Sequence, residues 1–231
     1  MSIRIIVVAA VSALLSVAAC SGIPQPPAAV SALSGLVDAR SVKEAALEPI
    51  RDAKQKKFVL IFSNNVEKQL QFNQQKVEWW LNNWQTRAMA SDFTKQQFAE
   101  IGDPKFISAN IISAIKPRVG DLRIANDFNE FIRSGADEAI VLDLYFIDES
   151  NWGVGYPIHE RQRVEIGVKF FDKSVTLARA ANVEGVAEDT WNTEATDGNT
   201  RRATAVMYQS RKRALEAFNQ LMQRVLLPGR G

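Results

Sequence analysis

The side chains able to do acid–base or nucleophilic chemistry are few and scattered along this chain. His159 is its only histidine, and Cys20 is its only cysteine. Catalytic triads and zinc sites need a histidine beside a nucleophile or beside further ligands, and the sequence supplies no such companion. We therefore expect His159 to be a solvent-facing loop residue. We expect no catalytic residue, no metal ligand and no cofactor.

Carboxylates are plentiful, and Asp143 is the most informative of them because it interrupts an apolar segment. A glycosidase needs two carboxyl groups that face each other across a cleft with perturbed pKa values. An ion pair between Asp143 and Arg163 or Lys169 on a neighbouring strand is the simpler explanation. The Gly153–Gly155 segment lacks the lysine and the strand-to-helix setting that phosphate loops require. The sequence thus favours a protein that is not an enzyme, with a periplasmic hydrolase as the weaker alternative.

The overall composition is that of an ordinary globular protein. The 231 residues include 28 Lys and Arg against 26 Asp and Glu, which leaves a net charge of +2. This balance gives no reason to expect a nucleic-acid partner. The 12 Gly and 8 Pro exclude collagen-like and wholly disordered chains.

The single cysteine closes an amino-terminal segment that has the layout of a signal peptide. Arg4 supplies a positive charge, and residues 5–17 form an uncharged, mostly apolar run too short for a lasting membrane span. Residues 17–20 (VAAC) resemble the lipobox of bacterial lipoproteins, an aliphatic residue and two small residues before Cys. The resemblance implies cleavage before Cys20, diacylglycerol on its sulfur, and an acyl chain such as palmitate on the new amino terminus. An ordinary signal peptide or a membrane helix that contains a cysteine is the alternative.

The residues after the cysteine predict where the protein is sent and how it is divided. Ser21 rather than Asp follows Cys20, and by resemblance to lipoproteins of Gram-negative bacteria this favours the outer membrane. We expect residues 1–19 to be the signal peptide, 20–38 to be the lipidated Cys with a flexible Pro/Ala/Ser tether, and 39–231 to be a single α/β domain facing the periplasm. A short amphipathic turn packed on the domain stays open for the later half of the tether, through Val30, Leu33, Leu36 and Val37.

Alternation of apolar and polar residues predicts a mostly antiparallel sheet of about four to five strands. Three antiparallel strands with one face in the core are expected over 139–148, 163–172 and, with weaker alternation, 175–187. A hairpin joins the last two, and the connection 149–162 reads as a protruding loop. A buried strand over 57–63, and a possible short one over 119–123, complete the sheet.

Helical spacing of apolar residues predicts the remaining elements. Helices are expected over 66–90, over 94–118 with a break at 102–104, over 124–134, and over 200–227. The third would bury Ile124, Phe128, Phe131 and Ile132 on one side and stop at Gly135. The long carboxy-terminal helix would be capped by Asn199 or Thr200 and end at Pro228–Gly229. The fold class is therefore α/β.

This order of elements, together with the lipobox, resembles the small α/β domains of periplasmic lipoproteins. Domains of this kind occur in CsgG, PelC and the N-terminal part of TolB, and the resemblance covers roughly residues 55–227. It implies a non-enzymatic part in envelope assembly or secretion, as a ring or as a partner-binding module. The partners expected are the membrane, through the acyl chains on Cys20, and an envelope protein or a second copy of the chain.

An aromatic cluster is the candidate contact surface for such a partner. Trp79, Trp80 and Trp84 lie on one predicted helix, and adjacent positions point about 100° apart, so the three do not share one narrow face. We expect at least one to pack against a strand and another to lie at an interface, where Trp is enriched. Trp152 and Tyr156 in the 149–162 loop are further candidates. Packing in the core alone is the alternative.

A peptidoglycan-binding module is the leading alternative function. Residues 196–198 (TDG), followed by a basic helix that carries Arg213, faintly resemble the motif of OmpA-like domains. The resemblance implies that Asp197 and Arg213 contact the diaminopimelate carboxylate, although the histidine of that motif is absent here. A polar loop followed by a basic helix face is the simpler explanation.

Overall fold

The computed structural model describes residues 47–83, 88, 90–151, 157–192 and 196–227. Within these residues five strands form one sheet: β1 Lys57–Phe62, β2 Asp121–Ala125, β3 Glu138–Asp148, β4 Ile158–Asp172 and β5 Leu177–Trp191. Five α-helices of these same residues pack on it: α1 Asn64–Asn82, α2 Asp92–Gly102, α3 Pro104–Ile115, α4 Phe128–Ser134 and α5 Thr196–Val225. The predicted α/β class with a long carboxy-terminal helix is confirmed.

The sheet is mixed, with the strand order β2-β1-β3-β4-β5. Strands β3, β4 and β5 pair antiparallel along almost their whole length, as the alternation predicted. Strand β1 instead runs parallel to both β2 and β3. Parallel neighbours need a crossover connection, and the helices between β1, β2 and β3 supply it.

The period of two along each strand divides the apolar residues between the two faces of the sheet. The first face is covered by α1, α3 and α5 and holds the main core, whose strand residues include Leu60, Ile140, Leu142, Leu144, Val164, Ile166, Val168 and Phe170. The second face carries α4 over a smaller cluster that contains Val59, Ile61, Val141 and Phe171. The site described below lies at the end of the first face.

Side-chain caps explain where several helices begin. The Ser63 hydroxyl accepts a hydrogen bond from the Val66 amide at the start of α1, and Ser91 does the same for Thr94 at the start of α2. The predicted break at 102–104 is real. Asp103 caps α3 by accepting from the Lys105 amide at 2.8 Å, and a proline follows the cap directly.

The fourth helix differs from its prediction. Asp127 caps α4 by accepting from the Glu130 amide at 2.8 Å, so the helix begins at Phe128 and the preceding residues belong to β2. Ile124 and Ile132 are 60% and 58% exposed and do not share a buried face. The predicted stop at Gly135 is confirmed, because this glycine has a left-handed φ of 66°.

The strands around the 149–162 connection are longer than predicted. Strand β4 already begins at Ile158, which pairs with Trp191 at the far end of β5. His159 is therefore a half-buried strand residue and not a loop residue, and its Nδ1 lies 2.9 Å from the Thr190 hydroxyl. Helix α5 begins at Thr196, so the predicted caps Asn199 and Thr200 lie inside it.

Helix α5 touches the backbone of β5 at Gly185. A Cβ atom built on Gly185 would lie 2.2 Å from the Ala214 nitrogen and 2.2 Å from the Ser210 carbonyl oxygen. Both are backbone atoms of α5, so only a residue without a side chain allows this approach. Gly185 thereby sets the distance between α5 and the sheet.

The two ends of the described chain are joined at one corner of the fold. The Ile50 amide donates to the Val225 carbonyl at 2.7 Å, and the Leu227 amide donates back to the Ile50 carbonyl at 3.2 Å. Ile50 and Leu226 are each 1% exposed and belong to the main core. The residues before β1 are thus part of the packed structure.

We expect Gly185→Ala to lower the free energy of unfolding by about 3 kcal/mol, because the added methyl group must push α5 away from β5. Urea denaturation followed by circular dichroism measures this change. Glu184→Ala is the matched control, since Glu184 is exposed on the same strand, and it should change stability by less than about 0.5 kcal/mol. Equal midpoints for the two variants would contradict the close contact.

Candidate functional site

The first face of the sheet turns from apolar to polar where β3 ends. Asp148 follows the apolar positions of β3, and Glu160 and Gln162 occupy the corresponding positions of β4. Glu160 is 3% exposed and Gln162 is 4% exposed, although both side chains are polar. Buried polar groups need hydrogen-bond partners, and Gln162 Nε2 finds them beside the strands, at Glu160 Oε1 (2.8 Å) and Ser150 Oγ (3.3 Å).

Helices α1 and α5 add further polar groups at this place through Asn73, Lys76 and Arg211. Arg211 is 3% exposed, and its Nη1 donates to the Met207 carbonyl at 2.7 Å while its Nη2 donates to Asn73 Oδ1. Its guanidinium carbon also lies 4.8 Å from the centre of the Phe146 ring. Here we call the six residues Asn73, Lys76, Asp148, Glu160, Gln162 and Arg211 the polar cluster.

The polar cluster contains two cations and two carboxylates. Lys76 Nζ donates to Asp148 Oδ2 at 2.6 Å, and Gln162 Nε2 donates to Glu160 Oε1 at 2.8 Å. Burial lowers the pKa of the Arg211 guanidinium to about 10, and the charges of Asp148 and Glu160 oppose that shift. Arg211 therefore stays charged at neutral pH, and the formal charges of the cluster cancel.

The pKa of Asp148 reflects both its burial and its contact with Lys76. Burial raises this pKa, but the charge and hydrogen bond of Lys76 outweigh it, aided by hydrogen bonds from Ser150 and Gln162, and bring the pKa down from 3.8 to about 2. The Asp148 side chain is 44% exposed, so solvent screens much of the pair's effect on stability.

We expect Lys76→Met to raise the pKa of Asp148 and to flatten the acid dependence of stability. A carboxyl group whose folded-state pKa is depressed stabilises the fold above its unfolded pKa, and this stabilisation is lost as the pH falls from 3.8 to about 2. Carbon-detected NMR titration of the Asp148 carboxyl, with urea midpoints over the same range, measures both effects. Lys95→Met is the control, because Lys95 lies 4.0 Å from a fully exposed Asp92. An unchanged Asp148 titration in Lys76→Met would contradict this assignment.

A narrow cleft opens from the polar cluster between α1, α2 and α5. Its volume is about 50 Å³, and its lining residues are Lys76, Trp80, Phe98, Asp148, Glu160, Thr200, Ala203 and Met207. One wall is aromatic, since the Trp80 ring stacks on Phe98 at 6.5 Å. Clefts that hold drug-sized ligands measure about 300–1,000 Å³. This cleft suits the tip of a single side chain.

The predicted aromatic contact residues take different places. Trp80 packs against a helical cluster formed by Val77, Phe98, Ile101 and Met207. Trp79 is half-buried and meets the Trp80 ring edge-to-face at 5.0 Å. The other three candidates, Trp84, Trp152 and Tyr156, lie outside the described residues.

Asp143 is fully buried but does not pair as predicted. Its Oδ1 accepts hydrogen bonds from Ser63 Oγ and Asn65 Nδ2, both at 2.8 Å, beside the end of β1. Arg163 instead pairs with three other groups, Glu149, Glu165 and Glu184. The expected ion pair is wrong because the cap and first turn of α1, which directly follow the parallel neighbour β1, supply the partners in place of β4. Burial raises the pKa of Asp143, and the hydrogen bonds from Asn65 and Ser63 partly offset this.

The remaining predicted site residues, Cys20, Asp197 and Arg213, are not among the members of the polar cluster. Cys20 lies outside the described residues. Asp197 falls within the bounds of α5, although its side chain is not among those described. Arg213 is exposed on the same helix, and its Nη1 donates to the Val186 carbonyl at 2.5 Å. Sixteen residues of helix separate the two, which corresponds to about 24 Å.

The charged members of the polar cluster were missed by the sequence interpretation. A signal was present in the strands, because Glu160 and Gln162 continue the apolar positions of β4. Another lay in α5, because Arg211 is four residues after Met207 and so lies on the predicted apolar side. A charged residue at a position where the pattern demands an apolar one indicates a buried partner on another element.

Metal-binding clusters and membrane-spanning helices are both absent from the described residues. Among them, no group of three or more His, Cys, Asp or Glu side chains is arranged to hold a metal ion. None of the described helices combines the length and apolar character needed to cross a membrane.

Comparison with known proteins gives similarity to solved structures alone. No family model matches the sequence, and no curated protein matches it. A PelC dodecamer from Paraburkholderia phytofirmans is 13% identical over 74% of this chain and 94% of that chain, with a TM-score of 0.28. A minor lipoprotein from Acinetobacter baumannii is 10% identical over 73% of this chain and 90% of that chain, with a TM-score of 0.33. At these scores the likenesses carry no part of the argument below.

Proposed function

We propose that this chain is a bacterial lipoprotein, held in the outer membrane by diacylglycerol and acyl chains on Cys20 and facing the periplasm. It acts by binding an envelope protein or a second copy of itself, in outer-membrane assembly, secretion or envelope organisation. One observation carries the anchoring: the lipobox-like residues 17–20 directly follow an uncharged apolar run. More than one acyl chain holds a protein stably where a single chain binds only marginally.

The geometry of the cleft beside the polar cluster supports binding over catalysis at this place. The cleft beside the polar cluster holds about 50 Å³, which is too small for most substrates but large enough for the tip of one side chain. Its charged residues are already engaged, Lys76 with Asp148 and Glu160 with Gln162. A partner side chain that enters a desolvated pocket of this kind is typical of the anchoring contacts in protein interfaces.

Trp79 is the described residue best placed to contact the partner. Trp79 and Trp80 are both half-buried, but Trp80 packs against the cluster formed by helices α1, α2 and α5, and Trp79 is not part of that cluster. Tryptophan is enriched among residues that dominate binding energy, because it buries a large rigid surface. The contact surface we propose combines Trp79 and the cleft, with Trp84, Trp152 and Tyr156 as its further candidates.

We expect Cys20→Ala to abolish labelling by a fatty-acid analogue in cells and to block processing at this site. Gel fluorescence after metabolic labelling measures the first effect, and the mass of the protein measures the second. Ser16→Ala is the matched control, because it changes a residue of the apolar run and leaves the lipobox intact. Undiminished label in Cys20→Ala contradicts the anchor, and label found in inner-membrane fractions contradicts the outer-membrane location.

We expect Trp79→Ala and Trp80→Ala to separate binding from stability. Trp80→Ala should lower the free energy of unfolding by about 3 kcal/mol, since its ring packs on Phe98. Trp79→Ala should cost less than about 1 kcal/mol of stability but at least about 2 kcal/mol of association. Urea denaturation measures stability, and in-cell crosslinking with analytical ultracentrifugation measures association. If the two variants lose stability equally and assembly is unchanged, the aromatic pair belongs to the core alone.

The peptidoglycan alternative stays a prediction. Asp197 and Arg213 lie about 24 Å apart along one helix, and Arg213 already donates to the Val186 carbonyl, so the described residues do not favour it. Sedimentation of the protein with purified murein sacculi tests it directly. Binding that Arg213→Ala removes, with partner crosslinking intact, would make peptidoglycan the better assignment.

A further inference from the structure

Strand β2 forms one edge of the sheet, and β1 is its only neighbour among the described strands. The Asp121 amide donates to the Lys56 carbonyl at 3.4 Å, where β2 begins to pair with β1. The backbone groups of successive residues in a strand point to opposite sides, so Leu122 and Ile124 direct their N–H and C=O groups away from β1. An edge of this kind is a template for pairing with a further strand.

The side chains of these two residues make the edge apolar on the first face of the sheet. Leu122 lies beside Phe58 and Ile124 lies beside Leu60 in the register with β1. Leu122 packs against the main core, whereas Ile124 is 60% exposed. Helix α4, which contacts β2, exposes a second isoleucine, Ile132, to 58%. Strand addition would bury Ile124 together with the outward backbone groups.

The second face of β2 is charged. Asp121 and Arg123 both lie on it, and Arg123 Nε donates to Asp121 Oδ2 at 3.1 Å. Their side chains are 44% and 66% exposed, so both are available to a strand placed alongside. Proteins often protect an edge with lysines, whose like charges keep strands apart. Strand β2 has no lysine, and its one acid and one base stand two residues apart, so the strand is complementary to a reversed copy of itself.

We propose that β2 pairs antiparallel with β2 of a second copy of this chain, with Leu122 opposite Leu122 of the second copy. This register places Asp121 of each copy opposite Arg123 of the other, as charge complementarity requires. The neighbouring register would place Arg123 opposite itself, and like charges directly opposite each other destabilise a strand pair. In the proposed register the two Leu122 residues exchange their N–H···O=C hydrogen bonds. Ile124 lies diagonally across from Leu122 of the second copy, within reach of its side chain.

The proposed contact is closed and lies away from the surface around Trp79. A two-fold axis at Leu122 relates the two copies and uses both β2 edges, so assembly stops at the dimer. Because β2 has five residues, the contact is small and reversible. The cleft lies between α1, α2 and α5, whereas β2 forms the edge of the sheet opposite β5. This inference therefore does not rest on the contact surface proposed above.

Disulfide trapping with single cysteines tests both the pairing and its register. Position 122 faces itself across the two-fold axis, at a Cα separation of about 5.5 Å that a disulfide spans. Position 124 lies four residues, or about 13 Å, from its own copy. In full-length protein held in excess detergent micelles and oxidised with copper phenanthroline, we expect Leu122→Cys to form dimers at least about tenfold faster than Ile124→Cys.

Two controls measure the background of this experiment. Phe93→Cys reports random collisions, because Phe93 is 64% exposed on α2. The unsubstituted protein reports any crosslinking through Cys20. Neither should exceed the rate of Ile124→Cys.

A charge exchange tests the proposed ion pairs. In the Leu122→Cys background, Asp121→Arg and Arg123→Asp should each slow dimer formation by about tenfold, because like charges then face each other across the pair. The two changes combined should restore the original rate. An exposed ion pair contributes little to folding, so the melting temperatures of these variants should agree.

Several results would overturn the proposal. Equal rates at positions 122, 124 and 93 would show collision without pairing, and trapping at 123 in place of 122 would contradict the register. Loss of trapping in Trp79→Ala would move the contact to the surface proposed above. Crosslinking of Leu122→Cys in cells to a different protein alone would make the occupant a strand of that protein.

A proline variant keeps the test open if Leu122→Cys does not fold. Ile124→Pro removes an N–H that faces away from β1, and an edge strand tolerates proline at such a position. We expect analytical ultracentrifugation to show a dimer for the concentrated unsubstituted protein and a monomer for Ile124→Pro. Equal masses for the two proteins count against the proposal.

Discussion

The contact between α5 and the backbone of β5 at Gly185 is the constraint on which the rest of the structure depends. A helix that lies this close cannot slide or rotate, because its backbone atoms at Ser210 and Ala214 are already in contact with the strand. This contact therefore fixes the direction in which the neighbouring side chains of α5 point. Arg211 points into the interior, and Met207 reaches the cleft beside Trp80.

The polar cluster follows from this placement and explains how α1, β3, β4 and α5 keep their arrangement. A buried guanidinium without counter-charges is costly, whereas here Asp148 and Glu160 act on Arg211 through space and its Nη1 and Nη2 donate to neutral oxygens. Such clusters add little net stability compared with apolar packing. They do fix the relative position of the elements, because any shift of α1 against α5 separates Asn73 from Arg211. The shape of the cleft between these helices depends on that fixed position.

The sequence predicted the elements well where one local pattern decides them, and poorly where a distant partner does. The alternation in β3 and the break at 102–104 between α2 and α3 are local, and these elements were found. The start of β4 was missed because Glu160 and Gln162 occupy core positions and make a strand look like a loop. The partner of Asp143 was missed because nothing local indicates that β1 lies beside β3. The polar cluster joins residues on four elements, so its membership is a property of the tertiary structure.

The hydrogen bonds that join Ile50 to the end of α5 have a mechanical consequence. A force transmitted along the described chain from its amino-terminal side meets two ties: the Glu48 carbonyl on the Arg179 side chain of the edge strand β5, and the backbone hydrogen bonds that join Ile50 to Val225 and Leu227. The tie to β5 is one side-chain hydrogen bond, whereas the tie at Ile50 is made by two backbone hydrogen bonds at the carboxy-terminal end of α5. A load applied at Ile50 therefore reaches α5, which is seated across β4 and β5, before it reaches the ladder of the sheet.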